Sequence, residues 1–348
     1  MKEKRRWWGN VGYAALALVV LSCLLPACRS SLPDGDDSPP RGSAWRELFD
    51  DGKADVGNFV MGFLDDDIPS AEKVGVRTYS VPAGEPILMT YHGLSSLPEP
   101  TPLRCTLLID GKQVTFTFDG QDALLHDVML ETQVIRDIPI VIPPLDEGAH
   151  DVIWLAFRNP DNHSTDEKFR HLSAYAFPDR FTLLAGGQAK WDAVDVEPLP
   201  AFEEWECESF PSEAFISKSD EAIKYWYEET VSAGQQVDCY IYTGYHEELA
   251  PLGDDVNEFA LLIFLDYKLI PLNVGDDHLI RYFSLGSDVL GARIAVSFIA
   301  PQEDGPHELC ALRINNPGHT IDELTCEERS SSGVFPRMHQ RTLIQVNK

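Results

Sequence analysis

Glu147 to Pro160, EGAHDVIWLAFRNP, and Asp304 to Pro317, DGPHELCALRINNP, are one piece of structure written twice. Each opens on an acidic residue and Gly, places His two positions on, continues as a run of β-formers and ends in Asn-Pro. A tight turn feeding a strand that Pro terminates accounts for the pattern. Working outward, other landmarks recur in the same order. Ser80-Val81-Pro82-Ala83-Gly84 answers Thr230-Val231-Ser232-Ala233-Gly234, and each leads to a strand with Tyr91 or Tyr242 and then Gly93 or Gly244. Cys105 to Asp110 answers Leu261 to Asp266. Phe177-Pro178 with Thr182-Leu183-Leu184 answers Phe335-Pro336 with Thr342-Leu343-Ile344. Their collinearity makes the chain a tandem duplication, with insertions confined to loops.

The elements read as β. Val76 to Val81, Ile87 to Tyr91, Leu103 to Ile109, Gln113 to Phe118, Val134 to Ile142, Val152 to Phe157 and Phe181 to Leu184 are short runs bounded by Gly, Pro and Asp. Asp110-Gly111 between two of them is a hairpin signal, since a type I′ turn needs φ > 0 at both central residues. The sequence therefore predicts an all-β chain of two tandem antiparallel β-sandwiches. The boundaries are a leader at 1–27, a tether at 28–44, repeat 1 at 45–187, a linker at 188–207 and repeat 2 at 208–348. The turn-Gly-x-His-strand element resembles the penultimate strand of immunoglobulin-like or fibronectin-like bacterial domains, a likeness of fold type alone.

The duplication also suggests which face is inside. Ile153, Leu155 and Phe157 correspond to Cys310, Leu312 and Ile314, apolar in both copies, so this set is expected to face the core. Trp154 then points outward, to pack between domains or contact a partner. Cys239 stands where repeat 1 has Leu88 or Met89, and Cys310 where it has Ile153. This paired swap predicts an inter-sheet bridge, Cys239 to Cys310, which in immunoglobulin-type sandwiches joins the second and penultimate strands. Cys207 and Cys326 are the candidates for a second bridge, and Cys105 reads as a buried free thiol.

The N-terminus reads as an export signal. Met1 to Arg6 is basic, and Val11 to Ala27 is a mostly apolar run that drops sharply into polar sequence. The run ends Leu25-Pro26-Ala27-Cys28, which resembles the lipobox of bacterial lipoprotein precursors; Val20-Leu21-Ser22-Cys23 is a second candidate. The resemblance implies acylation of Cys28 and an extracytoplasmic protein held to the cell envelope by its N-terminal lipid, on a periplasmic or surface face. The tether, rich in Ser, Pro, Gly and Asp, reads as a spacer. The formal net charge is −28, to which the first 27 residues contribute +3, leaving −31 on the rest. Such a surface repels phosphate backbones, so nucleic-acid binding is not expected.

Catalytic motifs are missing from the sequence. His246-Glu247-Glu248-Leu249-Ala250 lacks the second His of a zinc-protease helix, and there is no Walker loop, Gly-x-Ser-x-Gly or Gly-x-Gly-x-x-Gly. No cofactor and no enzyme activity are expected. His150 and His307 recur at the same turn, which favours a ring that closes the turn over a ligand site. Asp254-Asp255 is the loop pair suited to Ca²⁺, although its spacing fits no EF-hand and solvated turns account for it. In Tyr225-Trp226-Tyr227 alternation puts both tyrosines on one face, where they suit stacking on sugar rings. The sequence thus predicts a non-catalytic binding or envelope-structural module with a protein or glycan ligand. The alternatives are a lectin-like protein or a carboxylate-pair enzyme acting on glycosides.

Overall fold

The computed structural model describes residues 59–64, 78–95, 97–134, 136–172, 174, 176–187, 190–191, 193–200, 202, 211–246, 256–319, 337–338 and 341–348. Repeat 1 contributes β1 (Phe59–Leu64), β2 (Thr78–Val81), β3 (Ile87–Ser95), β4 (Thr101–Ile109), β5 (Lys112–Val114), β6 (Phe116–Phe118), β7 (Gln121–Ala123), β8 (His126–Leu130), β9 (Arg136–Ile142), β10 (Gly148–Arg158), a short helix α1 (Glu167–Leu172) and β11 (Ala176–Ala185). The linker holds β12 (Val196–Pro198). Repeat 2 contributes β13 (Phe215–Ser217), β14 (Glu228–Ser232), β15 (Gln236–Gly244), β16 (Val256–Leu265), β17 (Lys268–Ile270), β18 (Arg281–Gly286), β19 (Gly291–Ile299), β20 (Gly305–Asn315), β21 (Arg337–Met338) and β22 (Thr342–Asn347).

Each repeat is an immunoglobulin-like sandwich. In repeat 1 the sheet β1-β3-β9-β6-β7 and the sheet β2-β11-β10-β4-β5, with β8 also on β4, enclose one core. In repeat 2 the sheet β13-β15-β19 and the sheet β12-β18-β16-β20-β22-β14, with β17 and β21 attached, enclose another. The copies match strand for strand. β10 runs between β4 and β11 as β20 runs between β16 and β22, and a parallel strand closes each sheet, β2 beside β11 and β14 beside β22. Asp110 and Asp266, at φ 51° and 52°, open the same hairpin, and Asn159 and Asn316, at φ 50° and 49°, end the same strand.

Register corrects two of the landmarks. His150 lies opposite Leu183 and His307 opposite Ile344, so Arg180 corresponds to Arg341 and the Thr-Leu-Leu match is one residue out. Tyr91 is a core residue of repeat 1, whereas in repeat 2 that core position belongs to Ile241 and Tyr242 faces the other way.

The expected inside face is overturned. Val152, Trp154 and Ala156 line the core of repeat 1, where the Trp154 ring lies 4.7 Å from Tyr91 and 5.6 Å from both Phe116 and Phe118. Ile153, Leu155 and Phe157 project from the opposite face. With Leu108 and Ala176 they pack on Ala260, Leu262, Phe264, Tyr267, Cys310, Leu312 and Ile314 of repeat 2. The face that stays apolar in both copies is the one each copy presents to the other. A contact between related surfaces constrains both, while each separate core fills its volume its own way, here with Trp154 in one copy and Ala311 in the other.

The same geometry removes the Cys239 to Cys310 bridge. Cys239 points into the core of repeat 2, and Cys310 points out of its own sheet into the seam between repeats. A sheet separates them, and both are buried free thiols, as is Cys105 in the core of repeat 1.

Candidate functional site

Buried polar chemistry concentrates at the seam, and most of it joins the repeats reciprocally. Arg180 of repeat 1 donates through Nη1 to Asn315 O at 2.5 Å and through Nη2 to Asn316 O at 3.0 Å. Its counterpart Arg341 donates to Arg158 O and Asn159 O, each at 3.0 Å. Arg180 also holds Asp151 in a fork, with two bonds of 2.8 Å. Burial pushes the Asp151 carboxyl up from its ordinary range, and Arg180 pulls it back only in part. The carboxylate that corresponds to Asp151 is Glu308, and it takes a different partner. It accepts from Arg170 of α1 at 2.8 Å and meets the His163 ring at 3.0 Å. Helix α1 is set by Asp166, whose carboxylate accepts the Phe169 amide at 3.0 Å as an N-cap.

Each hairpin tip docks into the other repeat. Gly111, at φ +72°, lies so close that an added Cβ would stand 2.1 Å from Ile280 Cδ1. The equivalent Tyr267, at φ 66°, packs its ring at a tilt against Phe157, 4.8 Å between centroids, and donates its hydroxyl to Pro160 O at 2.6 Å. Gln113 bridges the tips, donating to Tyr267 O at 2.8 Å and accepting the Leu269 amide at 3.1 Å.

The two histidines close their turns alike. His150 Nδ1 meets Asp110 Oδ2 at 2.7 Å and its Nε2 meets Asp146 O at 2.9 Å; His307 meets Asp266 Oδ2 at 2.7 Å and Glu303 O at 3.0 Å. Burial alone lowers the His150 pKa. The bond to Asp110, the Asp146 carbonyl and the nearby negative charges outweigh it and raise the pKa above its ordinary value.

A second group of aromatic and charged side chains lies on the outer face of the sheet β13-β15-β19, with Phe215 and Tyr242 buried and Tyr225 and Arg293 exposed. Tyr225, 51% exposed, is parallel to Tyr227 at 5.6 Å between ring centroids and leans on Phe215 at 5.3 Å. Along the same face Arg293 lies over Phe202 at 4.8 Å and Tyr240 at 5.2 Å, while Tyr242 meets Phe202 at 5.8 Å and donates to Ser219 O at 2.9 Å. Burial, then Glu213 and Glu167, raises the Tyr225 pKa; burial, then Glu167, raises that of Tyr227, whose hydroxyl also bonds Glu167. Trp226, between the two, turns inward to the core. In repeat 1 the positions of Tyr240 and Tyr242 hold Thr90 and His92, and that of Arg293 holds Asp137. Among the described residues, these aromatic positions therefore belong to the second copy alone.

Of the residues singled out from sequence, Tyr225 and Tyr227 share this face. Trp154 is fully buried and is no ligand contact, and Cys239 and Cys310 are kept apart. Cys28, Cys207, Cys326, Asp254 and Asp255 lie outside the described residues. Phe202, Phe215, Tyr240, Tyr242 and Arg293 were not foreseen. A comparison of outward positions between the copies, once the register is known, is the signal that finds them.

No protein-family profile and no curated protein matches the chain. Solved structures match in part. A CARDB domain from Pyrococcus furiosus, solved with di-metal ions, is 8% identical over 37% of this chain and 90% of its own, with a TM-score of 0.22. A C. elegans MSP family member is 11% identical over 31% and 92%, with a TM-score of 0.20. A human ASH/PapD-like domain is 12% identical over 49% and 100%, with a TM-score of 0.21. Scores this low carry no argument, and the fold rests on the strands and registers above.

Proposed function

We propose that this chain is a non-catalytic, lipid-anchored extracytoplasmic module that binds a glycan through the aromatic face of repeat 2. One observation carries the reading: Tyr225 and Tyr227 stand parallel and partly open, beside Glu213 and Glu167, on a face whose described counterpart in repeat 1 carries Thr90, His92 and Asp137. Aromatic rings pack on the C–H faces of sugars, and carboxylates at their edge accept hydroxyl protons. The test is co-sedimentation of the mature protein with insoluble polysaccharides. Tyr225→Ala should reduce retention at least tenfold and leave melting nearly unchanged, with Leu88→Ala on repeat 1 as the neutral control. Equal retention of both variants overturns the reading. Anchoring is tested separately: Cys28→Ser should move the protein from the detergent to the aqueous phase on partition, and a mature-sized variant still in detergent counts against Cys28.

Glu167 and Glu213, beside the same tyrosines, support one second reading, hydrolysis of a glycoside by a carboxylate pair. Release of reducing sugar that Glu167→Gln and Glu213→Gln each abolish would favour it over binding alone.

A further inference from the structure

The duplication shows where a strand is missing. In repeat 1 the sheet continues past β9 into the hairpin β6-β7, with Thr117 opposite Val141, Phe118 opposite Ile140 and the Asp119 amide donating to Pro139 O at 3.0 Å. In repeat 2 the corresponding sheet ends at β19. Matching registers make Ser297 the counterpart of Val141 and Ala295 that of Pro139. The β17–β18 connection, which takes the place of β6 and β7 in the chain order, makes one main-chain bond to this edge, from the Ser297 amide to Leu272 O at 3.0 Å, and the Val274 amide then donates to Ser297 Oγ at 3.1 Å. At the other end Gly291 O accepts the Phe202 amide at 3.1 Å.

Ser297 spends its amide on Leu272, away from β15. By the alternation of an antiparallel ladder, Ala295 and Arg293 also aim their peptide groups outward. Among the described residues nothing pairs with them along this edge. The window from Gly291 to Ser297 is roughly 20 Å long, room for an added strand of about five to six residues. Repeat 1 has a proline here, with no N–H to offer; repeat 2 has an exposed alanine.

We infer that the β19 edge accepts an extended, net-basic peptide segment of a partner protein as a fourth strand. Main-chain bonds to Ala295 and Arg293 supply the affinity, as in strand addition to an exposed sheet edge. Charge selects the partner. The chain carries a net −28, and the exposed Asp238 lies opposite Ser297 at one end of the window, so a second copy is repelled and a basic segment is drawn in. The Arg293 guanidinium is held over Phe202 and Tyr240, so the added strand would use only the main chain of this residue.

The experiment uses the mature full-length protein and a fluorescent alternating Lys-Val heptapeptide, read by anisotropy and by amide exchange. Binding should protect the Ala295 amide. Ala295→Pro, which copies what repeat 1 has at 139, should weaken binding at least tenfold, and so should N-methylation of alternate peptide amides. An alternating Glu-Val peptide should bind at least tenfold more weakly than the Lys-Val peptide. Undiminished binding of the N-methylated peptide overturns strand addition even if Ala295→Pro fails to fold, and equal binding of the acidic peptide overturns the basic partner. Absence of binding by the Lys-Val peptide overturns the proposal as a whole.

Discussion

Tyr267 shows how one residue can carry a junction. Its φ of 66° is a region that side chains other than Gly, Asn and Asp seldom adopt, and the cost is offset by burying the ring on Phe157 and seating the hydroxyl on Pro160 O. Tyr267→Phe keeps the ring but strands Pro160 O and a guanidinium N–H of Arg341, so urea denaturation should show a loss of about 1–3 kcal/mol. Gly111→Ala meets both the φ of +72° and the close Ile280 side chain and should cost about 1–3 kcal/mol. His150 makes stability depend on pH. Its folded pKa is raised, so its contribution is fully present below the unfolded value of about 6.5 and is lost as pH rises through the folded value. Denaturation of wild type and His150→Gln across pH 5.5 to 9 should give curves that converge as pH rises; a constant gap would exclude the linkage. At this scale the sequence was informative about His150 and His307, because identical turns in two copies imply identical closure. It could not reveal Tyr267, since the partners of that residue come from the other repeat.

Among the elements, β10 and β20 were legible and their orientation was not. Period two distinguishes two faces without naming the inner one, and likeness between the copies here marks the seam and not the core, which is why the sequence alone puts Trp154 on the wrong side. The bridge between Cys239 and Cys310 failed for the same reason, while the sandwiches that it was meant to support stand on their ladders. All three described thiols are buried, with Cys239 pushed up to about 12 and Cys105 and Cys310 also raised. Iodoacetamide should therefore leave Cys105, Cys239 and Cys310 unlabelled in the native protein and label all three in urea without reductant. A Cys239–Cys310 pair that stays unlabelled in urea until reduced would contradict the placement. The strands β7 and β8 and the helix α1 escaped the sequence reading, since each is short: β7 rests on its hairpin partner β6, β8 on β4, and α1 is tied by Arg170 to Glu308 of repeat 2.

For the whole molecule, two sandwiches are joined as a symmetric dimer is joined, but within one chain. Residues 57–348 form one compact unit. The apolar seam supplies about 1.5–3 kcal/mol for each large side chain it fully buries, and the two arginines reach across it to equivalent carbonyls. Arg180→Met leaves Asp151 buried without its partner and should cost about 3–5 kcal/mol in denaturation. The central claim is that this seam makes the repeats one cooperative unit. Its direct test is urea unfolding of the mature protein followed by pulsed amide exchange and mass spectrometry, comparing peptides from β10 and β20. Both should lose protection at one shared midpoint, and Leu155→Asp should split it or lower it for both. Two separate midpoints in the unsubstituted protein, unchanged by Leu155→Asp, would contradict the account.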